Sequence, residues 1–276
     1  MRLIDMHCDT FWLMMREKIT GLQKNELCID IEKMKAAGSM AQFFASFINM
    51  NRFDGEHATE DSYRHALEMI SYGKEELAKC SSSIAITHNY DELITNRDNG
   101  KMSAILTVEE GGILHNKMEY LEELYRQGIR LITLTWNYEN CIGYPNSREP
   151  ERMKQGLKPF GIEVVRRMNE LGMLIDVSHL SDGGFWDVVQ YSTKPFVASH
   201  SNARTLCPHP RNLTDEMIRA LAEKGGVAGV NFYPYFLREN GKATVVDIAN
   251  HAWHLYQIGG EDVVAIGTDF DGFDEG

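Results

Sequence analysis

The chain has 276 residues, of which 43% are hydrophobic and 25% are charged, and this composition excludes wholesale disorder, collagen and a coiled coil. With 28 lysines and arginines against 40 aspartates and glutamates, its formal net charge is −12, which argues against a nucleic-acid-binding surface because such a surface needs a basic face. The apolar runs are shorter than the ~20 residues of a membrane-spanning helix, so we expect neither nucleic acid nor membrane as a partner.

The cysteine usage and the first residues of the chain indicate a cytoplasmic protein. The five cysteines are odd in number and widely spaced, without a CxxC pair, and stand at positions 8, 28, 80, 141 and 207. This arrangement favours free thiols in a reducing compartment over a disulfide framework or a cysteine zinc site. An acidic residue, Asp5, directly follows two apolar residues near the N-terminus, which is not the pattern of a signal peptide.

Short apolar runs alternate with longer amphipathic stretches along the chain. Eight of these runs predict buried parallel strands, because several of them are apolar at nearly every position. The predicted strands cover residues 2–7, 42–48, 104–109, 131–135, 174–178, 196–199, 227–232 and 263–268. Helical patterns between them are clearest at 119–127, 159–171 and 214–224, where proline or an N-cap residue marks a start and glycine follows each end.

This alternation predicts a (β/α)8, or TIM-like, barrel that forms a single catalytic domain over residues 1–276. A doubly wound sheet, the competing interpretation, would place a glycine-rich phosphate-binding turn after an early strand. The first predicted strand leads instead into His7, and the first glycine of the sequence is Gly21. A closed barrel normally has a helix after its eighth strand. Here the last predicted strand ends at residue 268 of 276, so we expect this chain to lack the last helix.

Metal-binding residue types stand at the ends of five of the eight predicted strands. His7 and Asp9 end the first strand and point to the same side, because residues i and i+2 of a strand do so. The other candidates are Glu109 or Glu110 at the third strand, His179 at the fifth, His200 at the sixth and Asp269 at the eighth. In a barrel these strand ends share one rim, where active sites are built. Three histidines and several carboxylates at one rim predict a zinc site of the hydrolytic kind.

The motifs at these strand ends resemble those of the membrane dipeptidase family of the amidohydrolase superfamily. They are His7-x-Asp9, Glu-Gly-Gly at 110–112, Leu-Ile-Asp-Val-Ser-His179, Ser-His200-Ser and Gly-Thr-Asp269-Phe-Asp-Gly, with further matches at 156–161, 211–212 and 230–233. The resemblance covers nearly the whole chain. It implies a TIM-like barrel with a binuclear zinc centre, and the hydrolysis of dipeptides with tolerance for a D-residue at the C-terminal position.

The resemblance also implies the ligands of two Zn²⁺ ions per chain. His7 and Asp9 would hold one ion, His179 and His200 would hold the other, and a glutamate would bridge them. A hydroxide that bridges the metals would attack the amide carbonyl, while Asp269 would act as the general acid and base.

Two neighbouring glutamates compete for the bridging position. The Glu-Gly-Gly motif favours Glu110. The spacing from the third strand to the Ile-Thr-Leu-Thr segment at 132–135 favours Glu109, which also ends the apolar run. We predict Glu109 as the bridging ligand.

The resemblance names Arg211 as the residue that binds the terminal carboxylate of a dipeptide, and it places Trp136 and Asn137 at the substrate. The family usually has a substrate-binding histidine where this sequence has Trp136, and an indole N–H cannot become cationic. Losing such a donor costs on the order of a hundredfold in rate, unless Asn137 or Tyr138 compensates for it.

Two other functions therefore stay open. One is a related binuclear metal amidohydrolase that acts on a non-peptide amide, a lactam or an ester. The other is a barrel relative that binds a ligand without catalysis. Homodimers are common among barrels of this kind, so we also expect that the chain can form a homodimer.

Overall fold

The computed structural model describes residues 3–273. The strands in this range are β1 (Leu3–Cys8), β2 (Ser39–Phe47), β3 (Ile84–Ile86), β4 (Met102–Glu109), β5 (Ile129–Thr133), β6 (Leu174–Asp176), β7 (Val197–Ala198), β8 (Val227–Val230) and β9 (Val264–Ile266). The helices in it are α1 (Thr10–Glu17), α2 (Ile31–Ala36), α3 (Ala58–Lys79), α4 (Tyr90–Asp98), α5 (Met118–Arg126), α6 (Pro150–Met153), α7 (Pro159–Leu171), α8 (Asp182–Tyr191), α9 (Asp215–Glu223), α10 (Pro234–Leu237) and α11 (Val245–Gly259).

Eight parallel strands close into a barrel in the order β1-β2-β4-β5-β6-β7-β8-β9, and β9 pairs with β1 to complete the ring. The strand β3 stays outside this ring and pairs only with the first residues of β4. Helices on the outside cover the barrel, so the (β/α)8 fold that the sequence predicts is confirmed.

Each of the eight predicted strands corresponds to one strand of the ring, with ends that differ by a few residues. Residue 2, the first residue of the strand predicted at 2–7, lies outside the described residues. The sequence gives no sign of β3, because three residues are too few to show a periodic pattern. The three predicted helices correspond to α5, α7 and α9.

The two ends of α7 and the beginning of α9 lie at the residues that the sequence predicts for them. Pro159 is the first residue of α7, and Gly172 caps its end with a φ of 71°, a left-handed conformation that glycine adopts at little cost. Thr214 caps α9 by accepting a hydrogen bond from the backbone N–H of Met217. After β9 the described chain forms no helix as far as Phe273.

Two apolar clusters support the barrel. The larger one joins the outer face of the strands to the helices, for example where Phe11 of α1 stacks on Phe44 of β2 with ring centroids 4.5 Å apart. The smaller one is made by Met6, Ala41, Phe43, Ile105, Leu131 and Val197. These side chains come from strands around the whole ring and still contact one another, so they fill the barrel interior. No helix within residues 3–273 is long and apolar enough to span a membrane.

Candidate metal centre and active site

Acidic and histidine side chains from several strands meet at the carboxyl end of the barrel. His7 of β1 lies at the centre of this group and is almost fully buried. Its Nε2 atom lies 3.2 Å from Asp9 Oδ2, 3.4 Å from Glu109 Oε2 and 3.8 Å from Asp269 Oδ1. Parallel strands bring these residues together because all their carboxyl ends share one rim.

The carboxylate of Glu109 lies between His7 and two further histidines. Its Oε1 atom is 3.0 Å from His179 Nε2 and 3.5 Å from His200 Nε2, while Oε2 faces His7. The two imidazole nitrogens are themselves 3.0 Å apart. One carboxylate thus faces both halves of the cluster, which is the position that a bridging ligand needs.

Glu110 points away from this cluster, and its carboxylate accepts hydrogen bonds from nearby backbone N–H groups. Its Oε1 accepts a hydrogen bond from Gly112 N at 2.6 Å, and its Oε2 accepts one from Trp136 N at 3.1 Å. Its φ of 99° lies in the left-handed region, where a non-glycine residue is strained. A Cβ atom on Gly112 would collide with the Glu110 carboxylate. The Glu-Gly-Gly motif therefore describes a structural turn around Glu110.

Hydrogen bonds on the far side of two histidines orient them toward the cluster. Asn137 Oδ1 lies 3.0 Å from His179 Nδ1. His200 Nδ1 lies 2.7 Å from Ser199 Oγ, which donates to Asp176 Oδ2 at 2.6 Å. With Nδ1–H donating in both rings, each Nε2 keeps a lone pair aimed at Glu109, and partners of this kind fix the tautomer of metal-binding histidines. The sequence predicts Asn137 at the substrate, and the structure places its oxygen beside His179 Nδ1 and the residue itself in the wall of the cavity described below.

Although burial opposes it, the carboxylates of Glu109 and Asp9 raise the pKa of His7 well above its usual value, and a bound cation would displace that proton. For the other two histidines the protonation is set by burial. It lowers the pKa of His179 and His200 well below the usual value, with the positive charges of Arg211 and His7 adding to the effect. Burial also raises the pKa of Glu109 to about 7. Both imidazoles are therefore neutral at neutral pH, as metal ligands must be.

The donor set fits zinc. Asp9 Oδ1 is buried and has no hydrogen-bond partner among the described residues, so this carboxylate oxygen is left to bind a cation. Two sets of three residues each bring their potential ligand atoms within 4.8 Å of one another. The first set is His7, Glu109 and His200, and the second is His7, Asp9 and Asp269. Imidazole nitrogens and carboxylate oxygens are the ligands of hydrolytic zinc sites.

The cluster forms the floor of a cavity of about 600 Å³. The ring of Trp136 lines this cavity and packs on Phe47 with centroids 4.7 Å apart. Arg211 also lines it, although its side chain is almost fully buried. The guanidinium donates to Ser201 Oγ and His200 O at 3.3 Å each, and its Nε has no partner among the described residues.

The family model for membrane dipeptidases, peptidase family M19, matches residues 1–276. The chain belongs to this family. An uncharacterized dipeptidase of Schizosaccharomyces pombe is 33% identical over 294 residues, which cover all of this chain and 70% of that protein. Dipeptidase tcpJ of Claviceps purpurea is 28% identical over 88% of this chain and 58% of that protein.

Solved structures of family members superpose over nearly the whole chain. Dipeptidase AC, a metallopeptidase of family M19, is 27% identical with a TM-score of 0.89, over 99% of this chain and 85% of that one. A metallopeptidase from Rhodobacter sphaeroides, liganded with a phosphinate mimic of the dipeptide L-Ala-D-Ala, is 25% identical with a TM-score of 0.87, over 99% and 86%. The barrel of this membrane dipeptidase family member is thus shared with metallopeptidases.

Several residues that the sequence analysis did not single out hold the ligand side chains of this site in place. Asp176 of β6 accepts a hydrogen bond from Ser199 Oγ, which also lies against His200 Nδ1, so Asp176 reaches this histidine through one hydroxyl group. Asn231 donates from Nδ2 to Asp269 Oδ2 at 2.9 Å. The only available signal was position, since each of these residues lies in or directly after a barrel strand.

Proposed function

We propose that this protein is a zinc-dependent dipeptidase that hydrolyses the amide bond of dipeptides and accepts a D-residue at the C-terminal position. The observation that carries the proposal is the Glu109 carboxylate, which lies between His7 and the pair of His179 and His200 at the floor of the cavity. Membership of a dipeptidase family supports the hydrolysis. The L-Ala-D-Ala mimic bound to the Rhodobacter sphaeroides enzyme supports the D-residue.

Two Zn²⁺ ions are the cofactors that these residues would hold. His7 and Asp9 would bind one ion, His179 and His200 would bind the other, and Glu109 would bind both. Zinc in such a site polarises a carbonyl oxygen and lowers the pKa of water to ~7.

Asp269 is positioned to move protons during the reaction. Its Oδ1 faces His7, its Oδ2 accepts from Asn231, and the carboxylate lines the cavity. Asn231 is itself fixed, because its Oδ1 accepts a hydrogen bond from Tyr233 N at 2.6 Å. The carboxylate of Asp269 takes a proton from the attacking water and passes it to the leaving amine.

Chelator-sensitive hydrolysis is the direct test. A panel of L-L and L-D dipeptides is incubated with the zinc-loaded protein, with and without a chelator, and released amino acids are measured. We expect turnover that stops with the chelator and returns when zinc is added back. An absence of turnover in protein that retains its bound zinc would contradict the dipeptidase proposal.

Arg211 is proposed to bind the terminal carboxylate of the substrate. Burial lowers its pKa to about 10, which leaves it charged at neutral pH. We expect Arg211→Met to raise KM on the order of a hundredfold, because a desolvated charge pair costs a few kcal/mol to break. Steady-state kinetics with L-Ala-L-Ala and its C-terminal amide measure this. The amide lacks the carboxylate, so an equal loss for both substrates would contradict the assignment.

Trp136 favours a second candidate, a metal amidohydrolase that acts on a non-peptide amide, a lactam or an ester. This indole lines the cavity where the family usually has a histidine, and it makes that wall more apolar. The third alternative, a barrel without catalysis, fits poorly with a complete set of metal-binding side chains. A cytoplasmic location, a homodimer and a single catalytic domain over residues 1–276 remain predictions.

A further inference from the structure

The charges around the cavity divide into two sets. Among the described residues that line it, the carboxylates all belong to the metal centre and its proton carrier. The remaining charged lining residues are three arginines, Arg16, Arg52 and Arg211. One arginine is enough to bind the terminal carboxylate of a dipeptide. The other two give the cavity more positive charge than that carboxylate needs, in a protein whose net charge is −12.

The two additional arginines lie on the opposite side of the barrel from Arg211. Arg211 follows β7, which is the sixth strand of the ring, and Arg52 follows β2, which is the second. Strands four places apart in a ring of eight stand across the barrel from each other. Arg16 is near the end of α1, which follows the neighbouring strand β1. The metal centre lies between these two sides, since it is built from strands all around the ring.

The guanidinium groups of Arg16 and Arg52 differ in the partners that they already have. The guanidinium of Arg16 lies 4.4 Å from the centroid of the Trp12 ring and donates to Glu17 Oε1 at 2.7 Å, so part of its charge is already paired. Arg52 is exposed at the end of a short 3₁₀ turn, and within residues 3–273 its guanidinium has no hydrogen-bonding or ionic partner. Arg52 is therefore available to a ligand, and Arg16 lines the same cavity with its guanidinium over the Trp12 ring.

We propose that Arg52 and Arg16 form an anion subsite that selects dipeptides whose N-terminal residue carries an acidic side chain. This inference rests on the proposed function, because Arg211 must hold the C-terminal carboxylate for the N-terminal residue to face the opposite side. A glutamate or aspartate side chain there accepts charge-assisted hydrogen bonds from guanidinium groups. A neutral side chain of the same shape does not gain them.

The test compares L-Glu-L-Ala with L-Gln-L-Ala, which differ in charge and hardly in shape. We expect the unmodified protein to show a kcat/KM for L-Glu-L-Ala that is about tenfold higher, as charge-assisted hydrogen bonds at a partly exposed site provide. Arg52→Gln should remove most of this preference, and the double variant with Arg16→Gln should abolish it. Hydrolysis of L-Gln-L-Ala should stay within about twofold in every variant.

Arg126→Gln is the matched control, because Arg126 is an exposed arginine at the end of α5, just before β5 begins, and so lies at the far end of the barrel. It should leave the preference unchanged. If both dipeptides are hydrolysed equally well by the unmodified protein, the subsite is wrong while the dipeptidase proposal stands. If neither of them nor any other dipeptide of the L-L and L-D panel is hydrolysed, the dipeptidase proposal fails. In that case calorimetry with the phosphinate analogues of L-Glu-L-Ala and L-Gln-L-Ala tests the anion subsite separately. Equal dissociation constants for the two analogues would overturn the subsite.

Discussion

Replacement of Glu109 by glutamine is expected to remove bound zinc and to lower kcat by more than about a hundredfold. This loss is larger than the ~10–100-fold loss that follows when a residue that only orients a metal ligand is replaced. Glutamine has almost the same shape but only one accepting oxygen. Its amide would place N–H groups against either His7 or the pair of His179 and His200, which flank the two carboxylate oxygens. Metal content by mass spectrometry and kcat for one dipeptide, both relative to the unmodified protein, measure the effect.

Glu110→Gln is the matched control in the neighbouring position. This carboxylate accepts hydrogen bonds from Gly112 N and Trp136 N. An amide at this position would place its N–H group against one of these backbone N–H groups, so that neither has an acceptor. This lowers the free energy of unfolding by about 1–3 kcal/mol. We expect lower thermal stability with zinc retained, the reverse of the result for Glu109→Gln. Loss of zinc in Glu110→Gln, or equal retention in both variants, would contradict the bridging role of Glu109.

The strands of the ring were predictable because buried parallel strands leave a strong local signal. Val227–Val230 and Val264–Ile266 are short apolar runs between amphipathic stretches, and no knowledge of their partners is needed to recognise them. Their ends were less certain, because the last hydrogen bonds of a strand depend on its neighbours. The prediction of Glu109 over Glu110 used the same signal together with the spacing to residues 132–135, since Glu109 ends the apolar run, and β4 ends at this residue.

The connections between the ligands could not be predicted, because they depend on distances across the barrel. Asp176 and His200 are 24 positions apart in the sequence, and only the folded ring brings Ser199 between them. The backbone conformation at the site could not be predicted from the sequence either. His179 and Asp269 have φ values of 68° and 62°, in a region that non-glycine residues seldom adopt. Such strain persists where surrounding structure enforces it, and it commonly marks functional sites.

Asp269→Asn is expected to lower kcat by about 10²–10⁴-fold while leaving metal content close to that of the unmodified protein, as loss of a general acid and base does. Asparagine tolerates the left-handed backbone of this position. Its amide oxygen can still accept the hydrogen bond from Asn231 Nδ2, so the loop keeps its anchor. The substitution therefore removes the ability to carry a proton and changes little else. Metal content and kcat, measured on the same preparation, separate the two effects.

Asp271→Asn is the control, because this second aspartate of the same turn also has a positive φ and accepts hydrogen bonds from Thr10 Oγ1 and Cys28 N, away from the cavity. It should lower thermal stability with kcat largely preserved. Full activity of Asp269→Asn would show that another group carries the proton. Loss of zinc in that variant would instead make Asp269 a metal ligand. Its carboxylate lies within 4.8 Å of the His7 and Asp9 ligand atoms, so geometry alone permits either role, and the pairing of metal content with kcat distinguishes them.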